Sequence, residues 1–189
     1  VWASVSVGVV NVAFTILSLF MIDKLGRRKL YFIGLTGMVV ALIAMGTFFA
    51  LQATLGDSIK WLTISVMWVY IAFFAISLGP LGWLIISEVF PLSVRGIGSS
   101  IGALSNWLFN GIVAFTFFKL VKGLTMPGTS IMLKGEDLGN PAGAFYLYAL
   151  VGILSIVWCY FFIPETKNVT LEKIEEHWRK GTKRKDIHK

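Results

Sequence analysis

Two carboxamides four residues apart, Asn106 and Asn110, and a tryptophan one turn beyond a Gly-Pro pair, Gly79-Pro80 and Trp83, are the side chains in this sequence best suited to chemistry. Residues at i and i+4 project from one helix face. Each carboxamide offers two donors and an acceptor oxygen, enough to embrace neighbouring hydroxyls with no net charge. Proline has no N–H and clashes with the preceding turn, so Gly79 and Pro80 are expected to break the helical ladder. Freed carbonyls persist at membrane depth only where they are buried in protein or line a cavity. With the flat ring of Trp83 and its single donor, this constellation suits a ligand that has an apolar face and hydroxyl edges, as sugars do. The same amides would serve equally well to bond two helices together.

The elements that carry these residues follow from hydropathy. Of the 189 residues, 56% are hydrophobic and only 14% charged, too little charge to cover a water-facing surface. A hydrocarbon core about 30 Å thick is crossed by about 20 helical residues. Five runs qualify, at about 1–22, 30–52, 61–87, 98–121 and 143–163. The expected fold is therefore all-α, an integral membrane helical bundle of five spans over 1–163 followed by a basic tail over 164–189. The chain starts at Val1 without a methionine, and we expect it to be a segment of a longer protein.

Charge gives the direction. With five crossings, the first and third connections and the tail share one side and hold thirteen of the seventeen basic residues. Basic residues favour the cytoplasmic face, which predicts a multi-pass protein of the cell membrane with its C-terminus inside. The net charge of +7 then reflects orientation and anionic lipid headgroups, and nucleic acid is not an expected partner. In the tail, Thr170 reads as an N-cap, Glu172, Glu175 and Glu176 follow it, and Arg179 and Lys180 precede Gly181, which predicts a short amphipathic helix. Leu171, Ile174 and Trp178 share one face of that helix, suited to the membrane surface.

Other chemistries find little support. Cys159 is the single cysteine, and His177 and His188 lie in the charged tail without metal-site spacing, so neither metal nor cofactor is expected. The spans contain no nucleophile with a base and no paired carboxylates, which argues against an enzyme. Asn11 reads as structural, and Gly96, Gly98 and Gly102 read as sites of close helix packing. Glu88 stands near the end of the third span, on the same predicted side as Asp23, Arg27, Arg28, Arg95 and Glu165. A carboxylate there can pair with guanidinium groups from neighbouring helix ends, either as a static cap or as a latch that opens and closes.

Several stretches together carry a resemblance: Asp23-Lys-Leu-Gly-Arg-Arg28, Gly79-Pro-Leu-Gly-Trp83, Ser87-Glu-Val-Phe-Pro91 with Arg95, Ser105-Asn-Trp107 with Asn110, and Pro164-Glu-Thr-Lys167. In this order and spacing the chain resembles the second half of a sugar porter of the major facilitator superfamily. Asn168 stands where that family commonly has glycine, and Gly82 where many members have a second proline before the tryptophan. The resemblance implies that these are the last five of twelve helices in two bundles that rock about a central site; the handing of substrate between two halves in this way is a general transporter design. It implies that Trp83 and Asn106 bind the sugar, that Asn110 supplies a second amide, that Phe74 closes the pocket, and that Gly79 and Pro80 let the helix bend. It implies that Asp23, Arg27, Arg28, Glu88, Arg95 and Glu165 form a charge network that stabilises the outward-facing state. The expected function is alternating-access transport of a hexose or pentose. The expected partners are the sugar, lipids, the N-terminal half of the same transporter and, where transport is coupled, a proton. A carrier of polyols or a non-transporting sensor of the same fold are the alternatives. The midplane of these spans carries no cation, which disfavours an anionic substrate.

Overall fold

The computed structural model describes residues 2–56, 58–90, 94–127, 130–133 and 135–163. Glu165, the predicted tail helix over 170–181 and the side chain of Glu88 lie outside the described residues. The chain forms helices α1 (Trp2–Leu25), α2 (Arg27–Ala50), α3 (Gln52–Leu55), α4 (Ser58–Ile76), α5 (Leu78–Val89), α6 (Arg95–Gly123) and α7 (Ala142–Phe162). A two-stranded hairpin of β1 (Met132–Leu133) and β2 (Glu136–Asp137) separates α6 from α7. Among the described residues, five helical segments are long and apolar enough to cross a membrane, with α4 and α5 sharing the third. This is the five-span helical bundle expected from hydropathy.

The centre of the bundle is α2, which packs against α1, α4 and α7. Lipid tails are as apolar as leucine, so helices associate in a bilayer by close packing and interhelical hydrogen bonds. The sequence of α2 supplies the small residues this needs. Gly34 and Gly37 face Ser77 and Phe73, and a Cβ on either glycine would collide with them. On another face, Gly46 receives the Tyr146 ring of α7, and Gly152 of α7 receives Val39. Polar side chains bond across the same seams: Thr47 Oγ1 and Tyr146 Oη lie 3.1 Å apart, and Cys159 Sγ lies 3.7 Å from Tyr31 Oη. Trp68 Nε1 donates to Ser6 Oγ at 3.1 Å and joins α4 to α1.

Hydroxyls within the spans mostly donate back to their own helix. Thr15 bonds the carbonyl of Asn11, Ser65 that of Trp61, Thr116 that of Ile112 and Ser155 that of Val151. This satisfies each hydroxyl where water is absent.

In contrast to α2, α6 is almost bare. Its buried residues are Gly98 and Val121, close to its two ends. Between them Ile101, Leu104, Trp107, Leu108, Phe109 and Phe115 stand exposed.

The close seat of Ser77 on Gly34 gives a test. Gly34→Ala in the full-length protein is expected to cost about 1–3 kcal/mol of stability through overpacking, read as a lower melting temperature in detergent. Adding Ser77→Gly removes the atoms that the new methyl would meet and should recover part of the loss. An unchanged melting temperature for Gly34→Ala would show that the contact is not tight.

Candidate substrate-facing site

The third span is interrupted at Ser77. Its backbone leaves helical geometry at φ −122° and ψ −89°, and its N–H bonds the carbonyl of Phe74 at 3.2 Å, a tighter turn than the α-helix makes. The regular acceptor, the Phe73 carbonyl, is served instead by Ser77 Oγ at 2.7 Å. Gly79 and Pro80 form the first turn of α5, where a missing N–H costs no helical bond. The helix resumes as Leu81 N–H bonds the Ser77 carbonyl at 2.9 Å. Ser77 is fully buried and had no place in the sequence reading. Its signal was present nonetheless: serine just ahead of a helix that carries proline in its first turn is a start pattern.

Phe74 lies beside this break. A Cβ on Gly79 would stand 3.3 Å from the Phe74 carbonyl and 3.5 Å from its ring, so glycine leaves the ring room to lie against the backbone. Phe74 is 39% exposed and Trp83 50% exposed.

The other half of the site comes from α6. Gly102 of α6 meets Ile86 of α5, at 2.9 Å for an added Cβ, and Gly98 meets the ring of Phe90. Rising numbers on α6 therefore meet falling numbers on α5, so the helices run antiparallel. From the Ile86–Gly102 contact, Trp83 is three residues away and Asn106 four, rises of about 4.5 and 6 Å. The two side chains thus stand at one depth. Gly79 and Asn110 occupy the level one turn further toward the hairpin.

Asn110 Nδ2 donates to the backbone carbonyl of Asn106 at 2.9 Å and contacts Asn106 Oδ1 at 3.2 Å. This holds the two amides as a unit and leaves the Asn106 Nδ2 donors and the Asn110 Oδ1 acceptor to face outward. Both residues are exposed. Trp83, Asn106 and Asn110 thus form a polar and aromatic face on α5 and α6 rather than a chamber closed within these helices.

A cleft of about 630 Å3 does open between α2, α4, α6 and α7, but Phe74, Trp83, Asn106 and Asn110 do not line it. Its walls include Met38, Met45, Met67, Phe117, Tyr70 and Tyr148, a surface suited to hydrocarbon more than to hydroxyls.

The predicted charge network is placed in part. Asp23 and Arg27 border a smaller cavity with Ile22, Pro80 and Leu84, beneath the break in the third span. Arg28 turns to α7: its Nη2 donates to the Tyr160 carbonyl at 3.0 Å, and its guanidinium lies over the rings of Phe32 and Tyr160 at 5.7 and 5.5 Å. Arg95 Nε donates to the Phe90 carbonyl at 3.4 Å and braces the start of α6. The two adjacent arginines thus point to different neighbours, which their shared sequence position did not reveal.

Comparisons with known proteins agree with this architecture. Residues 1–178 match the family described as sugar (and other) transporter. The chain is 34% identical over 181 residues to the D-xylose-proton symporter of Escherichia coli, covering 96% of this chain and 34% of that protein. It is 34% identical over 179 residues to polyol transporter 5 of Arabidopsis thaliana, covering 92% of this chain and 30% of that one. A solved structure of the proton:xylose symporter XylE bound to 6-bromo-6-deoxy-D-glucose superposes with a TM-score of 0.76 at 32% identity, over 94% of this chain and 34% of that structure. The chain thus spans about a third of the length of the relatives it matches. Its five membrane-crossing helices, its broken third span and this family match agree: the chain belongs to the sugar porter family of the major facilitator superfamily.

Proposed function

We propose that the chain forms one wall of the substrate path in a transporter that moves a monosaccharide, hexose or pentose, across the cell membrane by alternating access. The observation that carries this is the antiparallel register of α5 and α6, which sets the Trp83 ring and the Asn106 amide at one depth beside the break at Ser77. Trp83 stacks on the apolar face of the sugar and Asn106 bonds its hydroxyls. Asn110 orients Asn106, and Phe74 covers the ligand from the hairpin side. A second reading, a polyol as cargo, is favoured by the likeness to the polyol transporter and uses the same donors. A co-transported proton would need a carboxylate at mid-depth, which these five spans do not carry. The remaining wall is the N-terminal half of the transporter. Residues 1–163 are the half-bundle and 164–189 the cytoplasmic tail.

In the full-length protein reconstituted in liposomes, Trp83→Ala and Asn106→Ala are each expected to raise KM for sugar counterflow about tenfold, the worth of one or two lost contacts, with membrane levels unchanged. Unaltered kinetics in both would remove these residues from the site. Competition by sugars and polyols against labelled xylose separates the two cargoes.

The Asn110 amide acts through Asn106 in this reading. Asn110→Ala is therefore expected to raise KM by only about fivefold, and by much less once Asn106 is already alanine. Effects that simply multiply in the double variant would show that the two amides act independently.

The charge network of Asp23, Arg27, Arg28, Glu88, Arg95 and Glu165 is proposed to hold the outward-facing state. Arg95→Ala is expected to raise the labelling of cysteine probes at the cytoplasmic gate; equal labelling in variant and parent counts against the network.

A further inference from the structure

At the hairpin end, one fully enclosed amide ties three helices together. Asn140 is 1% exposed. Its Nδ2 donates to the Phe49 carbonyl near the end of α2 at 3.0 Å, and its Oδ1 accepts from Ala142 N–H at the start of α7 at 3.0 Å. Its own backbone N–H donates to Thr125 Oγ1, just past the end of α6, at 2.9 Å. The hairpin is folded onto this point. Ile131 N–H bonds the Gly139 carbonyl, Leu138 N–H bonds the Ile131 carbonyl, and Leu138 packs on Val121 and Ala144. Gly139 sits at φ +79° against Thr125, and Gly143 against the Leu124 carbonyl, so a side chain at either would drive this connection, a strap between α6 and α7, off its seat.

The position of this knot gives it a consequence beyond closing a loop. The buried residues of α6 are Gly98, near its start, and Val121, near its end against Leu138. Over the intervening stretch the helix is a stiff rod about 34 Å long, held at its two ends. Asn106 and Asn110 stand eight and twelve residues from Gly98, a third to a half of the way along. A shift of the hairpin end therefore reaches the amides at about a third to a half of its size. Displacements of this size matter, because binding groups about 1 Å out of place lose much of their effect.

We propose that Asn140, with Thr125 as its partner, is a positioning residue for transport: it fixes the hairpin end of α6 to α2 and α7, and so sets where Asn106 and Asn110 meet the substrate. This rests on the reading of those amides given under Proposed function. The strap works through hydrogen bonds that only its own geometry satisfies, and releasing one of them lets α6 tilt without unfolding any span.

The test uses the full-length protein in liposomes and sugar counterflow. Asn140→Ala and Thr125→Val are expected to raise KM about tenfold with the maximal rate within about twofold of the parent. Thr125→Ser keeps the accepting oxygen and should restore the parent KM. Glu136→Gln breaks only the exposed Lys122 pair at 3.2 Å and should leave both constants unchanged. In a background of Asn106→Ala with Asn110→Ala, Thr125→Val should add nothing to KM. If Asn140→Ala does not reach the membrane, Thr125→Val and its serine counterpart carry the test. An unchanged KM, a fall in maximal rate alone, or a full additional effect in the amide-free background would each overturn the proposal. A parent protein that shows no counterflow would instead overturn the transport reading on which it rests.

Discussion

The third span interrupts its own helical ladder at Ser77, just ahead of Pro80, and the rest of the site depends on how that break is absorbed. In water the freed groups would be solvated, but in a bilayer each needs a partner within the protein. Ser77 supplies one by turning its hydroxyl onto the Phe73 carbonyl. That turn requires a buried seat, and Gly34 of α2 provides it because no side chain stands between the two backbones. The break is thus a joint between two helices rather than a weak point in one. Phe74 of α4 lies just before it and Trp83 of α5 follows within two turns, so the joint sets the geometry between these two aromatic rings.

Packing is unevenly shared around this joint. α2 is enclosed by three neighbours through small residues and a few cross-helix hydrogen bonds, which makes it the fixed element of the bundle. α6 is seated at its two ends and open between them. In the function proposed above, the bare apolar face of α6 is the surface turned toward the remaining wall. The contrast separates labour: α2 holds the packing together, whereas α6 leaves most of its side chains exposed.

Much of the fold was legible without coordinates. Hydropathy located the five spans because a bilayer imposes one length on every crossing helix. The spacing of Asn106 and Asn110 showed that they share a face, since 3.6 residues per turn is a local property. The Gly-Pro pair signalled an interruption, yet the structure centres it on Ser77, because the first turn of a helix tolerates proline and the break falls just before it. The hairpin was invisible as structure: its strands are two residues each, too short to show a period, and they are held where Leu138 and Asn140 find seats on α2, α6 and α7.

The sequence by itself thus determined the class of fold, the five spans, the family and the residue types that can meet a hydroxylated ligand, because lipid burial and helical periodicity act on neighbours along the chain. Only the tertiary structure decided that Trp83 and Asn106 share a depth, that Arg27 and Arg28 part company, and that Asn140 binds three helix ends together. Those facts depend on which helices run antiparallel and where glycines let them touch. Contacts between residues tens of positions apart leave no periodic trace in the sequence.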